Sequence, residues 1–582
     1  MKFFNSITRF LYKHDELFIL FLSIIIGVLA GYGNLIFRFL ISFIQREVFG
    51  NSDEAMLYIL ENQPFYKILL APAIGGFIIG LLSLFFKSAK GHGVPDVIKA
   101  VILGKKISPF VAIIKTISSS ITIGTGGSAG REGPIIQIGA ALGSGVAQML
   151  KFSGNRLRTL LACGASGGLA ATFNAPMGGA MFASEIIVGD FSIKTFSPII
   201  VTSVVATVVS RHYLGNDITF SAPPYEFKNP IELLFYALLG IFCATIGVLF
   251  IKIFYKTEEY FDNLSIPSFL KPALGGFILG LIALFSRRIM GVGYATIMDI
   301  LNGNLMIYVL LVLIILKIIA TSLTLSSGGA GGLFVPSLFI GAATGGFFGS
   351  IIHTLYPIST AGSGAYALVA MSAMLASTMR APITAILIIF EITQSYSIIL
   401  PLMICTIISN VVSNFLINDS IFTYPLTREG IKIRTTTEES ILNNISVKDV
   451  MMKNDEIITF KKSTPLYEII NGIQKASHLS FPVVDDNNNL IGMLSLDDIK
   501  SIMFDESVKP LIVADDICRK KDITYIYPDE TLADAMSKMG LRDLGAIPVV
   551  EKASNNKLKL LGLLRRSDII VAYNKAFMAK LK

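Results

Sequence analysis

Glu132 is the residue whose placement most demands a chemical reason: it sits in "GSAGREGP" (Gly127 to Pro134), an acid among glycines inside long apolar sequence. An ionisable side chain there is costly to bury and is normally kept for a function. Three more such residues stand apart in similar surroundings: Lys115, 17 residues before Glu132, His92 in "GHGVP", and Glu185 in "FASEII". A further glycine break, "GGLFVP" from Gly331 to Pro336, carries no charge. A glycine-rich break followed by a helix start presents unpaired N–H groups and the positive end of the helix dipole. Such termini receive an anion without a buried full positive charge. Together with a carboxyl that can take up and release a proton, they predict the handling of a partly dehydrated anion. "GTGGSA" (Gly124 to Ala129) fits a dinucleotide fingerprint formally but lacks the alternating strand and helix units that fingerprint requires.

The elements that hold these residues are membrane helices. Of 582 residues, 53% are hydrophobic and 15% charged, with 50 glycines and a mean hydropathy of +0.65. Soluble domains carry roughly 25% charged residues, so an ordinary cytosolic enzyme is disfavoured. The segments Thr159 to Ser184, Ile318 to Met379 and Ile392 to Asn418 contain no Asp, Glu, Lys or Arg, and a bilayer crossing takes about 20 residues. The basic N-terminus leads into the apolar run Ile19 to Ala30, read as a retained first membrane helix. The net charge of +8 fits positive loops on a membrane protein better than nucleic-acid binding, since no dense basic stripe occurs. Cys163, Cys243, Cys405 and Cys518 lie far apart, indicating neither a metal site nor a disulfide framework.

Two duplications organise the chain. "PAIGGFIIGLLSLF" (Pro72 to Phe85) reappears as "PALGGFILGLIALF" (Pro272 to Phe285), 200 residues on. Lys115, Gly130 and Pro134 recur 202 residues on as Lys317, Gly332 and Pro336, and "NAP" with Glu185 recurs 206 residues on as "RAP" with Glu391. The membrane region, 17–426, is therefore two related halves, about 17–214 and 230–418, after a segment 1–16. Repeats interrupted by Gly and Pro at corresponding places point to a transport site between the halves. After a linker at 427–445, a charged soluble tail repeats itself: 446–505 ("FPVVD") is echoed by 511–575 ("IPVVE"), each copy reading as helix, strand, helix, strand, strand, helix.

These motifs resemble the CLC family of chloride channels and chloride/proton exchangers, and the tail resembles a pair of CBS domains. The resemblance implies a mainly α polytopic membrane protein with two inverted-repeat halves and broken helices, plus an α+β cytoplasmic CBS pair. It implies a homodimer in a lipid bilayer, chloride as substrate with protons as its counterpart in exchangers, cytoplasmic termini, and no enzyme activity. A prokaryotic plasma membrane is expected. Carried over by position, Glu132 is the gate, whose carboxylate occupies an anion site when ionised and leaves it when protonated. The anion contacts fall on His92, Gly93, Arg131, Leu333, Phe334 and Phe422. Lys115 supplies positive potential, and Glu185 and Ile186 lie on the family's proton path.

Three positions depart from the family pattern. His92 replaces a serine, and either donates N–H to the anion or packs beside it. Phe422 replaces a tyrosine and offers no O–H, while Tyr424 stands two residues away. Ile186 occupies the place of the exchangers' internal glutamate and cannot carry a proton, which favours a passive gated channel while leaving the strictly coupled antiporter as the alternative. Glu185 either draws water and protons inward or makes a helix-packing hydrogen bond. In the tail, an adenine nucleotide (ATP, ADP or AMP) would meet Ser567, Asp568 and Arg565, in a cleft completed by Asp568, whereas Asp498 and its neighbour Asp497 in the first copy disfavour phosphate. No other cofactor is expected. A CBS-regulated cation transporter is the distant alternative, for which the membrane core offers few carboxylates.

Overall fold

The computed structural model describes residues 15–51, 56–216, 220, 229–431, 442, 445–453, 457–474, 480–499, 502, 511–520, 523–542, 544–552 and 558–580. The chain divides into two compact units, Met1–Lys432 and Ile433–Lys582. The first is helical, and among the described residues seven of its helices are long and apolar enough to cross a membrane: Glu16–Phe49, Phe65–Phe85, Ile193–Leu214, Glu232–Asn263, Ile307–Ser326, Phe334–Leu355 and Ile399–Leu416.

The charge-free stretches are not single crossings. The first becomes a helix Gly154–Phe173 that stops at Asn174 in the left-handed region (φ 58°) and restarts at Pro176. The same stop occurs in the second half, where helix Ser363–Met379 ends at Arg380 (φ 63°) and a new helix begins at Pro382. The proline explains the restart: its fixed φ suits the first helical position, and its missing N–H is one the helix start leaves unpaired anyway.

The repeat is a physical pseudo-two-fold. Helices Phe65–Phe85 and Lys271–Phe285 are the duplicated segments. Gly76 lies against the backbone of Pro272 and Gly80 against that of Phe269, while Gly276 lies against Pro72 and Gly280 against Leu69. Each contact has its exchanged twin, as a two-fold relation requires. The partner number falls as the glycine number rises, so the equivalent helices run antiparallel and the halves are inverted along the helix axis. The sequence shows the duplication; this crossing shows the inversion. Glycine permits it, because a Cβ at either position would run into a backbone carbonyl.

The second unit repeats the device in β-structure. One sheet contains Met452–Lys453, Leu558–Arg565 and Ala546–Lys552; the other contains Phe460–Lys461, Ser480–Val484 and Leu490–Ser495. Met452, from the first copy, pairs with Leu563 of the second, and Arg519, from the second, bridges to Met493 of the first. The first copy thus adds a strand to the second copy's sheet, and the second copy touches the first copy's sheet through an isolated bridge. The expected first helix of the first copy is only a turn, Val447–Asp449, because its chain is drawn straight into that pairing.

The crossing makes a direct prediction. Gly76→Ala and Gly276→Ala should each destabilise the detergent-solubilised protein by about 1–3 kcal/mol through overpacking. Gly33→Ala, where a Cβ meets only side chains at 3.4 Å and beyond, should be neutral or stabilising by a few tenths of a kcal/mol or more, as Ala replaces Gly in a helix. Thermal unfolding of the three variants checks both signs.

Candidate functional site

The three glycine breaks named from the sequence converge. Gly130 and Gly332, equivalent positions of the two halves, bond to each other twice, N–H to carbonyl, at 2.8 and 2.6 Å. Gly133 packs against the carbonyl of His92 and against Gly332. The Gly91 amide donates to Gly329 and, symmetrically, the Gly291 amide donates to Gly126, both at 3.1 Å. Thr122 accepts from the Ala330 amide at 3.0 Å and Thr324 from the Ser128 amide at 3.2 Å. Backbone groups freed by the breaks in one half are therefore satisfied by the other.

Two helices begin at this junction, Glu132–Met149 and Phe334–Leu355. Leu333 and Phe334 are buried, and Phe334 packs on Phe173 at 5.2 Å. Among the described residues, nothing accepts from their N–H groups, so this start has the unpaired donors an anion needs. The Glu132 carboxylate is fully buried here. Its Oε1 accepts from the Tyr294 hydroxyl at 3.2 Å and lies 4.0 Å from the Arg131 guanidinium. Its Oε2 has no well-formed hydrogen bond and lies by Gly130, in the field of the Val335 amide. The acid thus occupies the mouth of the second half's helix, where a free anion would also be stabilised.

His92 and Phe422 do come together, with ring centroids 6.3 Å apart, and Phe254 edges onto His92 at 5.9 Å. His92 Nδ1 is buried with no hydrogen-bond partner, leaving a polar atom available within an aromatic wall. Gly93 adopts φ 79° ahead of the helix Val94–Leu103, and a Cβ there would meet Gln137. The Tyr424 ring stacks on Tyr255 at 4.2 Å.

Lys115 is fully buried and donates to the carbonyls of Lys90 and Gly91 at 2.7 and 3.1 Å. Its counterpart Lys317 donates to Ile289 and Gly291 at 3.1 and 3.2 Å. Each lysine therefore ties down its own half's glycine loop while keeping its charge inside. Glu185 accepts from the Thr384 amide and hydroxyl at 2.8 and 2.6 Å. Its counterpart Glu391 accepts from the Met177 and Gly178 amides at 2.9 and 2.7 Å. Each glutamate therefore caps the restarted helix of the opposite half. Ile186 follows in a π-helical segment, Ala183–Val188.

Tyr294 had no signal in sequence, since a tyrosine in apolar sequence looks like packing. Lys317 and Glu391 had one, as the repeat partners of residues already singled out.

In the tail, the expected nucleotide residues separate. Arg565 forms a two-point pair with Asp568, at 2.9 and 2.6 Å, and Ser567 is exposed. A cavity of about 400 Å³ lies instead on the Asp498 side, with Ser480, Ser495, Arg519 and Thr524 in its wall. Arg519 pairs with Asp498 at 2.7 Å, which offsets the negative charge that argued against this side. Burial opposes ionisation of Asp498, but the Ser495 hydroxyl and Arg519 outweigh it and hold the carboxyl below its ordinary range.

Residues 74–414 match the family described as voltage gated chloride channel, and 447–505 and 513–575 each match the CBS domain. "Chloride channel protein CLC-f" of Arabidopsis thaliana is 31% identical, over 87% of this chain and 73% of its own length. "H(+)/Cl(-) exchange transporter ClcA" of Vibrio campbellii is 31% identical, over 70% of this chain and 89% of its own. A solved slow cyanobacterial Cl⁻/H⁺ antiporter superposes with a TM-score of 0.65 and 25% identity, covering 71% of this chain and 97% of that one.

The reciprocal caps give this site's test. Glu185→Ala and Glu391→Ala should each cost about 1–3 kcal/mol, because each strands buried or partly buried donors. Glu391→Gln, which keeps one acceptor oxygen, should cost less. Thermal unfolding in detergent reads the order.

Proposed function

The chain belongs to the voltage-gated chloride channel family, and from that premise we propose that it carries chloride across a membrane through a path between its two halves, gated by Glu132. The observation that carries this reading is the buried carboxylate lodged at the start of helix Phe334–Leu355. An ionised Glu132 competes with chloride for the same unpaired amides; protonation removes the charge, weakens its hold and lets the anion in. Lys115 and Lys317 add positive potential from either half, and the His92 imidazole offers a polar contact where Phe422 offers none. The protein works as a homodimer in a prokaryotic plasma membrane, with the CBS tail in the cytoplasm.

Passive conduction is the preferred mode, because Ile186 cannot relay a proton. Coupled exchange is the second reading, favoured by the likeness to a solved chloride/proton antiporter. In liposomes with a pH electrode, a chloride gradient should dissipate without driving protons uphill; uphill proton movement establishes the exchanger. In either mode Glu132→Gln should abolish the acid activation of chloride flux, and an unchanged pH profile would remove Glu132 from the gate.

The tail is read as an adenine nucleotide site on the Asp498 side. Its cavity falls in the range of small-molecule pockets, roughly 300–1,000 Å³. Asp498 suits the ribose hydroxyls, and Arg519 suits phosphate as a charge-assisted donor. Titration calorimetry of the full-length protein with ATP, ADP and AMP should find binding that Arg519→Ala weakens about tenfold, the size of one charge-assisted bond. Undiminished affinity in that variant moves the site away from this cavity.

A further inference from the structure

We propose that Tyr294 is the latch of the Glu132 gate, a positioning residue whose hydroxyl holds the ionised carboxylate in its closed seat. The proposal rests on the reading of Glu132 as the gate and adds the group that sets how readily it opens.

The phenol is delivered to the carboxylate by a braced loop. Tyr294 opens the helix Tyr294–Leu301 directly after Gly293, whose φ of 94° turns the chain into the site. Lys317 anchors the carbonyls of Ile289 and Gly291 just upstream, and the Gly291 amide fastens the loop to Gly126 in the other half. The Tyr294 ring is held by Phe220, at 5.4 Å between centroids, and by the Arg131 guanidinium, 5.1 Å from the ring centre. With the ring fixed, its hydroxyl meets Glu132 Oε1 at 3.2 Å. Both residues are buried, so little water competes for the bond.

A neutral phenol donates at any pH well below about 10, so the strength of this bond depends on the state of Glu132. The carboxylate accepts strongly, whereas the protonated acid accepts weakly. Tyr294 therefore stabilises the closed, ionised gate relative to the open, protonated one. The charged groups facing the pair are few. Arg131 lies beside the carboxylate, Arg38 lies within the field of Arg131 and Tyr294, and the Phe334 helix start contributes backbone. His92 presents its carbonyl to Gly133 while its ring faces Phe254 and Phe422. Arg131 also favours the ionised state, but Tyr294 supplies the directed bond that fixes where the carboxylate rests.

The test compares chloride flux from liposomes across the acid to neutral range for the wild type, Tyr294→Phe, Glu132→Gln and the double variant, all full length. Tyr294→Phe keeps the ring and its packing. It should move the pH of half-maximal flux upward by about one unit, tenfold in proton concentration, the size of a bond to a charged group. The double variant should match Glu132→Gln. An unmoved midpoint in Tyr294→Phe, with acid activation lost in Glu132→Gln, overturns the latch and leaves the gate standing. Acid activation that survives Glu132→Gln overturns both. Should Tyr294→Phe fail to fold, 3-fluorotyrosine at position 294, a stronger donor of almost the same shape, should lower the midpoint; no shift there also overturns the proposal.

Discussion

The membrane unit depends on one constraint: a helix may be broken inside an apolar interior only if the backbone groups it frees find partners. The answer here is the reciprocal pair of hydrogen bonds between Gly130 and Gly332. Two equivalent glycines, one from each half, satisfy each other across a pseudo-two-fold, and the neighbouring exchanges follow the same rule. Thr122 and Thr324 accept amides from opposite halves, and Glu185 and Glu391 cap each other's restarted helices. Each break is thus held by the half that did not make it, so the halves are structurally interdependent. The helix starts at the junction retain unpaired donors because their geometry excludes an internal partner, and that residue of unmet polarity is what a dehydrated anion can use.

Chemistry enters where the symmetry is broken. By the register of the repeat, the counterpart of Glu132 is Phe334, that of Tyr294 is Val94, and that of His92 is Val292. Positions that keep their type in both halves, the two lysines, the paired glycines and the capping glutamates, brace loops and helix ends. Positions that differ place an acid, its donor and an imidazole around one path. The duplication supplies a rigid frame, and a few departures from it supply the buried titratable groups. Rigidity matters because the proposed exchange of that carboxylate with an ion would require it to return to one seat, and that seat is made of backbone.

The tail follows the same logic with strands. The first CBS copy lends its leading strand to the second's sheet, and the second returns an isolated backbone bridge at Arg519. Asp498 and Asp568 sit at corresponding places of the repeat, but Asp498 pairs with Arg519 of the other copy and borders the cavity, whereas Asp568 pairs with Arg565 three residues before it.

Composition and spacing alone determined a great deal. Charge-free stretches announced membrane helices, the offsets of 200, 202 and 206 residues announced two related halves, and glycine breaks beside Glu132 announced an anion and a titratable acid. These were legible because they are local: periodicity, charge and backbone freedom are written residue by residue. Inversion of the halves was not, since a repeat has the same sequence whether its copies run parallel or antiparallel; the crossing at Gly76 and Gly276 decided it. Nor was the capping by Glu185, whose partners lie about 200 residues away. The Arg519–Asp498 pair was hidden for a related reason: its two members lie in different copies of the repeat, and only the fold brings them together. Tyr294 was the least visible of all, because only tertiary packing brings one hydroxyl among 19 tyrosines to the buried acid.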